Sequence, residues 1–446
     1  MSLLRSLVPA FILSLGLCFG LSLAADEASA GPLEVPAAPA KAAAAPAAPA
    51  KAAPAPAAAA PAAAIAPSTS GPADFTAQAK LLYRVAACGE GPLPPTVDAK
   101  TVQAHCANIS KRMAEYRQRY FEKARPFFAT LVPASAPPTV VYPFGGGDLL
   151  SALVAFPDAT EITTISLELA GDPRRIDTLT RPQLARSLAA LRTEIGGLLS
   201  VGSNTSLNLS SSQRNELPAQ VSSFLMGMVA GGYEPVGMRV FRIQPDGSLH
   251  YLSLEDIAAI EAEAAGKRAR TKSLKGSWLS PNFSEAFSNV EIQYRRIARP
   301  GEAADPGVRV HRHIGWNLSD GYLTDHPELL THLAAKGKVT LLTKGASYLL
   351  WSGGFSKIRT YMLDHLAWML SDSTGIPPAY ASAAGMVQET YGRFTGAFLE
   401  GAEASGQKHS NAFRALWQKN PKRSLPVRFG YVDLNKQAHL LVTRPK

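Results

Sequence analysis

The sequence is poor in the groups that most often carry chemistry. Among 446 residues there are only three cysteines. Cys18 lies in the leader, which leaves Cys88 and Cys106 and too few thiolates for a zinc cage, since no histidine pair stands near them. There is no Gly-x-Ser-x-Gly elbow, no His-Glu-x-x-His helix and no aspartate cluster at metal spacing, so no common hydrolase or metallopeptidase signature is present. Charged residues make up 18% and aromatics 8%. After the N-terminal segment no run reaches the about 18 uninterrupted apolar residues of a membrane-spanning helix. No internal repeat is visible.

What is present begins with an export signal. Arg5 precedes an apolar stretch from Leu7 to Leu23, and Ala28-Ser29-Ala30 or Ser22-Leu23-Ala24 offers a small-x-small cleavage site. Residues 1–30 therefore read as a secretory signal peptide, with an uncleaved membrane anchor as the alternative. Leu17 stands where a lipoprotein signal wants a small residue before Cys18, which argues against lipidation. Residues 31–71 are an alanine-proline tract. Proline every few residues excludes a continuous helix, and the tract lacks apolar bulk for a core, so a disordered, semi-extended linker is expected. The chain is thus placed in the periplasm or envelope of a bacterium. There an even pair of cysteines favours one disulfide, Cys88–Cys106, over two buried thiols. The formal net charge of +10 suits an anionic envelope polymer or another envelope protein as partner. The basic residues are spread out, so a generic solvated surface is the plainer reading and nucleic acid is not expected. The run Lys267 to Lys275 is read as a solvated loop, with contact to an anionic polymer as the sharper alternative.

Periodicity divides the remainder in two. Residues 72–135 form a helical segment, clearest from Lys100 to Phe128, carrying the disulfide. Residues 136–446 alternate strands and helices, which implies a mainly parallel α/β sheet. Strands are predicted in 139–144, 161–169, 289–297 and 308–318. Others fall in 338–347 and 368–377. A hairpin turns at Pro245-Asp246-Gly247. Residues 382–419 read as mainly helical. A closing hairpin is assigned to "VRFGYVD" and "AHLLVTRP". His311 and His313 fall on one face of a strand. They could begin a metal site, but no third ligand can be named, so no metal is expected and the face is read as exposed.

The stretch "TVVYPFGGGDLLSALVAFPDATEITTISLE" reads as strand, glycine turn, helix, strand. Gly145, Gly146 and Gly147 permit a tight reversal and the close approach of a ligand. Glu168 follows about 20 residues later, where dinucleotide and S-adenosylmethionine sites place an acid on ribose hydroxyls. Asp148 opens the helix, where it would repel a phosphate but cap the backbone. The order of elements, including the closing hairpin, resembles class I methyltransferases, which implies a Rossmann or methyltransferase-like α/β fold preceded by a helical segment. Those enzymes usually carry an acid two residues before the first glycine; here that residue is Pro143. The turn is therefore read as structural, or as a pocket for something other than a nucleotide. No cofactor is assigned, with S-adenosylmethionine as the alternative.

A second resemblance covers about residues 139–170 and 340–445. Tyr142, Pro143, Phe144, Gly146 and Asp148, then Lys344, Ala346, Ser347 and Tyr348, then Asp372, Ser373, Gly375, Ile376 and Pro377 are similar to the pattern of a family of uncharacterised exported bacterial proteins. That resemblance implies location and fold, not an activity. Lys344, Ser347, Asp372 and Ser373 fall at strand ends, where open α/β sheets bind ligands. Together with Gly145, Gly146, Gly147, Asp148 and Glu168 they form the candidate ligand site. The alternative for Lys344 is a buried ion pair, and for the others helix caps. Trp316, Tyr348, Trp351 and Trp368 could stack on sugars or belong to the core. The sequence reading is an exported protein that binds a polar ligand or partner. A methyltransferase-like enzyme, or a hydrolase using Ser347 or Ser373 beside a histidine, are the alternatives.

Overall fold

The computed structural model describes residues 71–199, 217–270, 284–298, 307–396, 404–430 and 438–446. Residues 1–30, where a signal peptide is expected, all but the last residue of the alanine-proline tract, and the second half of the Lys267–Lys275 run lie outside them. No helix among the described residues is long and apolar enough to cross a membrane.

The chain opens with α1 (Thr76–Val85) and α2 (Ala99–Tyr116), a π turn (Arg117–Phe121) and α3 (Glu122–Leu131). Asp98 caps α2 by accepting from the Thr101 amide at 3.0 Å. Pro126 sits inside α3, and the π turn precedes it in what the periodicity reads as one continuous helix. Cys88 and Cys106 are joined, tying the loop after α1 to α2.

The sheet follows: β1 (Thr139–Pro143), α4 (Leu149–Ala155), β2 (Glu161–Ser166), α5 (Arg181–Leu199), α6 (Ala219–Gly231), β3 (Tyr233–Ile243), β4 (Leu249–Tyr251), α7 (Leu254–Arg270), β5 (Val290–Arg296) and β6 (Arg309–Gly315). Then come α8 (Asp320–Asp325), α9 (Glu328–Ala334), β7 (Val339–Thr343), α10 (Ser356–His365), β8 (Leu366–Ser371), α11 (Pro378–Ala383), β9 (Met386–Gly392), α12 (Ala404–Lys419) and β10 (His439–Pro445). Ten strands lie in the order β4-β3-β5-β6-β2-β1-β7-β8-β10-β9. The five central strands, β6-β2-β1-β7-β8, are parallel. Every other pairing is antiparallel. The sheet is therefore mixed around a parallel core rather than mainly parallel, because the β3–β4 hairpin and β5 add an antiparallel flank.

The closing hairpin exists, but its partner strand is not the expected one. β10 pairs along its whole length with β9, from His439 opposite Gly392 to Pro445 opposite Met386. Residues 427–430 form no strand, and 431–433 lie outside the described residues. The supposed helix of 382–419 is thus a strand followed by α12. "MVQETYG" contains the strand-favouring Val387, Thr390 and Tyr391, but they do not alternate and the helical residues around them hide the strand.

One sheet face carries Val140, Tyr142, Ile162 and Leu342 and shares a core with the N-terminal helices and α4–α7. The opposite face carries Val141, Ile165, Ile314 and Leu341 under α8–α11. The helical segment and the sheet are therefore one body with a common core. Glu161, at the start of β2, binds Lys336 and Arg312, and Glu291 of β5 binds Arg312 and Arg239. This ion network ties β2, β6, β5 and β3 together across the sheet.

Candidate functional site

β1 has β2 on one side and β7 on the other, so the strand order reverses about it. In open α/β sheets the crevice at such a reversal is the usual place for ligands. The residues beyond the carboxyl ends of β1, β7 and β8 form a buried polar network. Asp148 accepts from the Ser151 amide at 3.1 Å and so caps α4. The same carboxylate accepts from the Tyr142 hydroxyl at 3.1 Å and pairs with Lys344 Nζ at 2.7 Å. Lys344 also donates to Ser151 Oγ at 2.7 Å. Burial and the Asp148 charge push the Tyr142 hydroxyl far above its usual range, so it stays protonated and donates.

The next residues continue the network. Asp372 accepts from the Gly345 amide at 3.2 Å and from the Thr374 amide at 2.9 Å, and the Thr374 hydroxyl bonds the same carboxylate. Ser347 Oγ and Thr374 Oγ1 are 2.7 Å apart. Ser373 Oγ lies 2.8 Å from His439 Nε2, because β10 runs antiparallel to β8 and starts beside the loop that ends it. Phe394 and Trp417 pack on the His439 ring. The structure thus brings Asp148, Lys344, Ser347, Asp372 and Ser373 together, and all five are buried. Sequence reasoning missed Ser151, Thr374 and His439. The Asp-x-x-Ser spacing of a capped helix could have pointed to Ser151, whereas nothing local marks His439.

The glycine turn is tight and occupied by protein. Phe144 and Gly146 both adopt left-handed backbone, with φ of 60° and 51°, a conformation that is costly for phenylalanine. The Gly145 amide is consumed by Tyr142 and Ile165 carbonyls at 3.2 and 3.0 Å. A Cβ at Gly147 would lie 2.8 Å from Gln220 Oε1 and 3.3 Å from Ser223 Oγ, so the first turns of α6 lie against this glycine. β2 ends at Ser166, and Glu168 stands beyond it, half-buried, with its backbone carbonyl accepting from His313. It is not part of the Asp148–Lys344 network.

His311 and His313 are fully buried, which corrects the exposed face expected of them. β6 is an interior strand, and Phe224 of α6 lies on both rings at 4.4 and 5.1 Å. His313 Nε2 donates to the Glu168 carbonyl at 2.8 Å, so its Nδ1 must accept from Thr164 Oγ1 at 3.1 Å. Thr164 Oγ1 in turn accepts from His311 Nε2 at 3.0 Å. This leaves His311 Nδ1 as a bare acceptor, buried and without a partner. Burial, together with the neighbouring His313, drives the His311 value far down, and burial takes His313 to about 4. Both rings are neutral at ordinary pH. Among the described residues no group of three or more His, Cys, Asp or Glu side chains is placed to hold a metal.

A pocket opens among the N-terminal helices and α5. A pocket of about 350 Å³ is lined by Arg112, Glu115, Tyr116, Arg119, Tyr120 and Gly196. The π turn between α2 and α3 carries Arg119 and Tyr120 into its wall. Tyr116 and Tyr120 are buried, and burial with the Asp148 charge pushes both hydroxyls up, so they are donors held within electrostatic reach of the Asp148–Lys344 pair. A larger groove of about 990 Å³, lined by Leu81, Pro92, Leu93, Pro94 and Pro235, lies beside the disulfide loop and away from the network. Of the aromatics weighed for stacking, Trp351 and Trp368 are core residues, while Trp316 and Tyr348 are half-buried. Comparison of the chain with protein-family models, curated proteins and solved structures gives no match.

Proposed function

We propose that the chain is an exported cell-envelope protein that binds a polar ligand at the carboxyl ends of the strands of a Rossmann-like domain. The observation that carries this reading is the pocket between α2, the π turn and α5. Its inner tyrosines, Tyr116 and Tyr120, lie within electrostatic reach of the buried Asp148–Lys344 pair at the reversal of strand order. Strained backbone at Phe144 beside the same pair fits a ligand site, where such conformations concentrate. The finer fold reading is methyltransferase-like: the reversal about β1 and the antiparallel β10 between β8 and β9 support it. An oxidising compartment is consistent with the disulfide. The net charge of +10 favours an anionic envelope polymer or a second envelope protein as a further partner.

S-adenosylmethionine does not fit the turn as it stands. Gly147 is covered by Gln220 and Ser223, and the helix start is closed by an Asp148 already paired with Lys344. The ligand reading is tested by native mass spectrometry of protein recovered from its own envelope. A retained small molecule in the wild type, lost in Arg119→Ala, is the expected result. A wild type that carries nothing under conditions preserving weak complexes counts against it.

A second reading, a hydrolase, is favoured by one contact. Ser373 Oγ and His439 Nε2 stand at the separation of a nucleophile and its base. Both side chains are buried, so the probe must be small. A fluorophosphonate adduct on Ser373 that disappears in His439→Ala supports this chemistry, and an unmodified Ser373 disposes of it.

A further inference from the structure

The first turns of α6 bring to the glycine turn several polar atoms that nothing in the protein satisfies. Gln220 is fully buried, and neither its Oε1 nor its Nε2 has a hydrogen-bond partner. Ser223 Oγ, one helical turn on, is also buried and unpartnered. Both side chains lie over Gly147. Ser166, on the same sheet face as Thr164, adds an unpartnered Oγ at the end of β2. The Gly145 amide bonds Ile165, so the turn runs beside that serine.

Buried polar atoms of folded proteins are paired with protein or with internal water, and several left unpaired at one place would be expensive. We infer that the glycine turn encloses a hydrated polar site, in which internal water bridges Gln220, Ser223 and Ser166. The chemistry selects water over a charged ligand: the lining offers a carboxamide and two hydroxyls, with no unpaired charge. The same atoms are shut off from solvent, which excludes anything that could not enter through small fluctuations of the chain. A polar, enclosed site with two or more partners per molecule is what holds internal water. This site is separate from the Arg119–Tyr120 pocket and does not depend on the ligand reading.

A crystal structure of the wild-type protein at a resolution that reveals ordered solvent is the direct test. Density for water within hydrogen-bonding distance of two or more of Gln220, Ser223 and Ser166 is expected. A dry site, with these side chains turned to pair one another, overturns the inference, as does density for an organic molecule. Denaturant unfolding of Gln220→Leu gives an independent reading. Loss of a hydrated site lowers the unfolding midpoint, whereas relief of unpaired polar atoms in a dry site raises it.

Discussion

Acidification should unfold this protein earlier than its carboxylates alone require, because two neutral histidines are locked inside the sheet. His313 titrates at 6.5 in an unfolded chain and at about 4 in the fold. The folded value is the lower one, so the unfolded state binds the proton first. Its contribution is complete above 6.5 and is lost as the pH falls toward 4. At about 1.36 kcal/mol per pH unit, the whole interval is worth about 3.4 kcal/mol, of which about 2.5 kcal/mol is gone at pH 4.5. His311 acts in the same direction. Glu161 and Glu291 are held below the usual 4.5, so their contribution begins to fall only under that value. The interval from 6.5 to 4.5 therefore isolates the imidazoles from these two acids. Urea unfolding measured across it should show stability falling with pH in the wild type. In His313→Gln the slope should be smaller by up to about 1.36 kcal/mol per pH unit, the worth of one proton. Gln can still donate to the Glu168 carbonyl, so the variant retains the contact that positions this segment. Equal slopes in the two proteins would refute the claim that a buried neutral imidazole, rather than surface charge, sets the response.

The Asp148–Lys344 pair and the disulfide yield two further predictions. Lys344→Met should cost about 3–5 kcal/mol in denaturant unfolding, since it strands a buried carboxylate. Adding Asp148→Asn should recover part of that loss, because asparagine can still cap α4; an additive double variant would deny the coupling. Reduction of Cys88–Cys106, whose partners are 18 residues apart, should remove about 3 kcal/mol in the chain-entropy account. An unchanged melting midpoint in reductant would place the loop's order elsewhere, for example in His105, which bonds Ala86 and Arg192 across the same junction.

Several features of the candidate site were legible because they are local. "GGGDLLS" announces a turn followed by a capped helix, and Asp148 does cap α4. Lys344 ends a β-branched run, and it does meet an acid. Glu168 was misplaced by spacing: β2 ends two residues before it, so the chain has left the sheet when it arrives. His439 was invisible, since its importance depends on β10 being laid against β8. The alternation of "RVHRHIG" suggests one polar, exposed face, and only the neighbours of β6 show that this face is covered by α6.

By itself the sequence determined the elements whose signals lie within a few residues: the helical N-terminal segment, the strand and helix around the glycine turn, the hairpin at Gly247 and the pairing of Cys88 with Cys106. The tertiary structure alone decided which strand closes the sheet, how the histidines are buried and what covers the glycines. The physical reason is that hydrophobic period and turn chemistry are written in short windows. Strand neighbours and helix docking instead depend on surfaces brought together across long stretches of chain, as β9 and β10 are around α12.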